Sequence, residues 1–206
     1  ACGYQAAQSA SDQDSAEGNV GAGAGATVGK LFGLGRSMKA GIGQASVSVG
    51  PWTVAALIAC NAVGDVIDPE TGALLASARS SDGRQRIDSR QALLQGQCQT
   101  LPLAATNTTI GVVATNARLT KAQAKRLAMS AHDGLARSVR PAHTPFDGDT
   151  VFALATGTHP AEPDMLLLTT LAAEACARAI VRAVTQAQGV QTLAGFVPAA
   201  ADLPTR

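Results

Sequence analysis

The chain has 206 residues, of which 46% are hydrophobic, 15% charged and only 3% aromatic. That length holds one large domain or two small ones around a sizeable core. A net charge of +1, with both signs interspersed, removes the electrostatic case for nucleic acid or an anionic membrane as partner. Alanine and glycine make up much of the hydrophobic share, so closely packed helices and sheets are expected. The low charge fits a surface partly covered by partner subunits.

The opening "ACGYQAAQSA" is helix-like and has no cap or leader before it, so a preceding segment is expected in the whole protein. Residues 17–50 are glycine-rich, which predicts tight turns and close backbone approach rather than regular structure throughout. "WTVAALIACNAVGDVID", 52–68, reads as one strand ending in the turn "DPETG". Residues 79–100 are polar and read as a surface excursion. "ATNTTIGVVAT", 105–115, contains an apolar strand from Ile110 to Ala114, preceded by Thr106, Asn107, Thr108 and Thr109. From Leu119 to Val139 the pattern is helical, with Thr120 and Gln123 as a capping box and Leu127, Ala131, Leu135 and Val139 on one face. "PFDGD" turns into a strand at 150–157. Asp164 caps a long alanine-rich helix from Met165 to about Gln188, with Gly189 beyond its end. Its Glu174, Arg178 and Arg182 form a polar stripe, which argues against a membrane span. Strands and helices without strict βαβ alternation predict an α+β chain with helices on a mainly antiparallel or mixed sheet.

Cys2, Cys60, Cys98 and Cys176 form no CxxC pair and are read as reduced, mostly buried thiols in a cytoplasmic protein. Nucleotide motifs fail on spacing. Ala24 stands where a P-loop before Gly29-Lys30 needs glycine, Leu31 follows the lysine, and Val28 breaks a dinucleotide fingerprint. His132, His143 and His159 lack metal-ligand spacing, and no GxSxG elbow occurs. No cofactor or metal is expected.

Four features remain. Asn61 interrupts an apolar run, where an amide must be satisfied by backbone groups or aim its NH2 at a developing oxyanion. Lys39 lies among small residues, ordinarily a solvated charge. Asp147 and Asp149 either cap the backbone of an Asx-type turn or face a cation. Thr108 is a weak nucleophile unless a base takes its proton; chain cleavage before it would free an α-amino group with a pKa of about 7.7 to 8.0.

The strings "EGNVGAGAGATVGK", "MKAGIG", "NAVGDV", "TNTTIGVVATNARLTKAQAKRLA" and "AHDGLARSVRPAHTPFDGDTVFALATG" resemble the DmpA-type aminopeptidases. These are self-processing N-terminal-nucleophile hydrolases that include β-peptidyl aminopeptidases and nylon-oligomer hydrolases. The resemblance implies one hydrolase domain over 1–206 with the αββα four-layer sandwich shared with ornithine acetyltransferases. It implies self-cleavage between Asn107 and Thr108 into an α part (1–107) and a β part (108–206), assembled as a tetramer. Thr108 would be the nucleophile and Asn61 the oxyanion donor. Lys39 would polarise the threonine, and Asp147 and Asp149 would orient its amine and the substrate's amino end. Substrates would be short peptides, β-peptides or oligoamides. Ala40 replaces the first of two glycines common after the family's lysine. Acyl transfer of the ornithine acetyltransferase type and an inactive binding or assembly homologue are the alternative functions.

Overall fold

The computed structural model describes residues 2–11, 13–97 and 107–204. Cys98 and Thr106 lie outside these residues. Four strands form the main sheet: β1 (Ile42–Val49), β2 (Trp52–Ala59), β3 (Ile110–Thr115) and β4 (Thr150–Ala155), in the order β4-β3-β2-β1. The β1/β2 and β2/β3 pairs are antiparallel, and β3/β4 is parallel with Ile110 opposite Thr150. A parallel pair needs a crossover, and helix α1 (Lys121–Ser138) supplies it.

The alternation in β2 places buried Trp52, Val54, Ala56 and Ile58 on one face. Against that face lie α1 and α2 (Met165–Thr185), joined in one core with Leu127, Leu135, Leu168, Ile180 and Val184. Both helix starts follow their sequence signals. Thr120 and Gln123 form the capping box, and the Asp164 carboxylate accepts the Leu167 amide at 3.0 Å. The stripe on α2 is paired: Glu174 accepts from Arg178 at 2.8 Å, and Arg182 pairs with Glu17. The α+β class read from sequence is the class observed, and the helix pair with the main sheet corresponds to two of the four expected layers. The sheet's other face carries Leu57 and Val112, with Phe152 and Leu154 exposed.

Small residues set the helix spacing. A Cβ at Gly134 of α1 would stand 2.0 Å from the Ala173 carbonyl oxygen of α2. Gly134→Ala is therefore expected to force the helices apart, losing about 1–3 kcal/mol or roughly 3–10 °C in Tm despite alanine's better helix propensity. Thermal unfolding measures it.

Three boundaries differ from the sequence reading. The glycine-rich segment contains the regular strand β1, because Gly43 lets it lie directly on α2. The run 52–68 is two strands, β2 and Asp65–Ile67, with a break at 60–64. Within the polar stretch 79–100, Ser89–Leu94 is a helix capped by Asp88. Among the described residues no helix is long and apolar enough to cross a membrane.

Candidate active site

Thr108 lies just before β3, where the parallel ladder with β4 continues backwards. Asn107 bridges Asp147, the Gly148 amide donates to the Asn107 carbonyl at 2.8 Å, and the Thr150 amide donates to the Thr109 carbonyl at 3.0 Å. The "DGD" turn thus runs alongside the Asn107-Thr108 peptide. Its carboxylates hold the surrounding backbone. Asp149 accepts the Thr109 amide at 2.9 Å on Oδ1, and the His143 ring nitrogen lies 3.1 Å from Oδ2. Asp147 accepts the Val63 amide at 3.0 Å on Oδ1, and the Thr144 hydroxyl at 2.6 Å and amide at 3.0 Å on Oδ2. These are the hydrogen bonds of a capped turn, and they also tie that turn to the 60–64 break and to the residue after Thr108.

A cavity of about 320 Å³ opens at this point, walled by Ala26, Thr27, Lys30, Asn61, Thr108 and Ile110 among others. Lys30 is only 2% exposed. Its ammonium donates to Asn61 Oδ1 at 2.6 Å, to Asn107 Oδ1 at 3.0 Å and to the Asn61 carbonyl at 3.4 Å. The Thr27 amide also donates to Asn61 Oδ1, at 3.2 Å. Two donors on one oxygen fix the amide's orientation, with Oδ1 turned toward Lys30 and the Thr27 amide. Burial lowers the Lys30 pKa to about 8; nearby Asp147 opposes the shift and Lys39 adds to it. That value makes a neutral amine accessible at mildly alkaline pH.

Thr108, Asn61, Asn107, Asp147 and Asp149 therefore converge. Asn61 sits in the break after β2 and not inside a strand, which frees it to face the cavity. Lys39 stands behind: it donates to the Ala26 carbonyl at 2.8 Å and the Ala24 carbonyl at 3.0 Å, bracing the glycine-rich wall. The lysine on the cavity is Lys30, which sequence reading weighed only as the end of a failed P-loop. A lysine amid Gly, Val and Leu was the available signal. Its position is set by the Gly29 and Lys30 amides, which donate to the Gly64 and Val63 carbonyls at 2.8 Å. His132 stacks near His143, with ring centroids 4.9 Å apart. Among the described residues no cluster of three or more His, Cys, Asp or Glu side chains could hold a metal. A larger groove, about 550 Å³, lies along β1 and α2 and contains none of these site residues.

Comparison with known proteins gives a consistent picture. The model of Peptidase family S58 matches residues 2–197. An uncharacterised aminopeptidase of Mycobacterium leprae is 43% identical over 96% of this chain and 57% of its own length. A 6-aminohexanoate-oligomer endohydrolase of Paenarthrobacter ureafaciens is 31% identical over 68% of this chain and 39% of its own. The chain thus spans somewhat over half the length of the aminopeptidase. Among solved structures, a β-aminopeptidase of Burkholderia sp. superposes with a TM-score of 0.64 and 26% identity, covering 95% of this chain and 54% of that one. The L-aminopeptidase D-Ala-esterase/amidase of Ochrobactrum anthropi, described as a variant of the Ntn hydrolase fold, gives 0.64 at 22% identity over 95% of this chain and 53% of that one. It speaks for the fold.

Proposed function

The chain belongs to peptidase family S58, and from that premise we propose that it is the core of an amide hydrolase whose nucleophile is Thr108. The Asn107-Thr108 bond is cut by the protein itself, giving one part that ends at Asn107 and one that begins at Thr108. Thr108 Oγ then attacks the carbonyl carbon of a bound amide. Charge develops on the carbonyl oxygen next to the Asn61 NH2. The amine leaves with a proton delivered through the freed α-amino group, and water hydrolyses the Thr108 ester. Lys30 takes the activating role that sequence reading gave to Lys39. Asp149 holds the strand carrying the nucleophile, and Asp147 holds the Asn61 loop against it. The observation that carries the reading is the bond set from Lys30 to Asn61 and Asn107 beside Thr108 on one cavity wall.

The relatives' names favour short peptides, β-peptides and 6-aminohexanoate oligomers as substrates; assembly of the αβ halves as tetramers is part of the same proposal. The test is turnover on a panel of these amides by the full-length protein. Asn61→Ala is expected to lower turnover roughly 10²- to 10³-fold, the usual cost of one oxyanion donor, and mainly in kcat. An unchanged kcat in a folded Asn61→Ala variant would remove Asn61 from the chemistry.

A further inference from the structure

Gly148 sits between the two aspartates, and two independent contacts aim it at the bond proposed for cleavage. Its amide donates to the Asn107 carbonyl oxygen at 2.8 Å. Its α-carbon faces the Thr108 hydroxyl so closely that a Cβ there would stand 2.7 Å from Oγ, with the Thr108 Cβ and methyl at 3.8 Å. An ordinary parallel ladder explains the first contact alone. It does not explain why the bare position faces the one hydroxyl adjacent to the same peptide.

Resting on the self-cleavage reading, we infer that Gly148 is a catalytic residue of the processing step. Its N–H serves as the oxyanion donor, and its missing side chain is the slot that holds Thr108 Oγ. In that step Thr108 Oγ forms a bond to the Asn107 carbonyl carbon and gives its proton to the neutral Lys30 amine. The carbonyl oxygen becomes an oxyanion against the Gly148 N–H. The bond from the Asn107 carbon to the Thr108 nitrogen then breaks, and that nitrogen takes the proton back from Lys30. The product is an ester between Asn107 and Thr108 Oγ. Water hydrolyses it to the Asn107 carboxylate and the free hydroxyl, with no other reactant consumed. The donor thus acts on the chain's own carbonyl, while Asn61 serves the later substrate, so the two steps are separable by mutation.

The test follows the intact mass of freshly purified Gly148→Ala over time, with circular dichroism to check folding. The amide remains in this variant, but the added methyl displaces the hydroxyl from its slot. Cleavage at Asn107-Thr108 is expected to slow roughly 100-fold or more, with the fold retained. Cleavage within threefold of wild type would overturn the role of Gly148 while leaving the self-cleavage reading standing. A wild-type chain that never cleaves would overturn both. If Gly148→Ala fails to fold, the double variant Thr108→Ala with Gly148→Ala decides. With the hydroxyl gone the slot is vacant, so the double variant is expected to fold with the Tm of Thr108→Ala alone. Failure of the double variant to fold would overturn the slot.

Discussion

Thr108→Ala is expected to leave the chain uncut at Asn107-Thr108 and to abolish amide turnover, a fall of roughly 10³-fold or more. In the proposed mechanism one hydroxyl performs both reactions, so both are expected to be lost together. Thr108 is partly accessible on the cavity wall and carries no core packing of the kind seen for Val113, five residues further on. Stability should therefore change little, and a folded, intact, inactive protein is the expected result, read by mass spectrometry and an amide assay. Thr108→Ser keeps a hydroxyl at the same place and is expected to retain cleavage.

The second large effect falls on Lys30. Lys30→Met keeps the length of the side chain and removes both the proton acceptor and the donor to Asn61 and Asn107. Self-cleavage is expected to slow roughly 10²- to 10⁴-fold, the span of a positioned acid-base group. The wild-type rate should rise with pH, levelling above about 8, where the amine is neutral. Stability moves in a defined direction as well. The folded pKa, about 8, lies below the ordinary 10.5, so between those values the unfolded chain holds the extra proton and the folded chain does not. Wild-type stability therefore gains a rising contribution from Lys30 through that window as pH increases, and Lys30→Met removes it. Denaturant titrations at pH 7.5 and 9.5 read the difference. A pH-rate profile without a break near 8 would remove Lys30 as the base.

The elements built from local signals were legible in the sequence. The caps at Thr120 and Asp164, the faces of α1 and α2, and the strand from Ile110 are fixed by residues within a few positions of one another. Strand β1 was not, because the glycines that read as irregularity are there for close packing on α2, a contact made over 130 residues away in the chain. Asn61 was singled out for its amide but misplaced within a strand, since the break after Ala59 depends on where pairing with β3 and β1 runs out. The place of Lys30 on the cavity wall was not legible for the same kind of reason. Burial of a lysine is a property of the folded cavity, and composition around it tells little about which of two lysines, Lys30 or Lys39, reaches the wall. The hydroxyl cluster before β3 was legible as a question, and the resemblance supplied the candidate answer. The ladder alongside "DGD" shows which groups surround it.

The most direct measurement is the intact mass and N-terminal sequence of purified wild-type protein after incubation near pH 8. Self-cleavage at this bond is expected to give two fragments, the second beginning Thr-Thr-Ile-Gly-Val-Val at Thr108. A chain that stays whole on long incubation, with no N-terminus at Thr108, would contradict it.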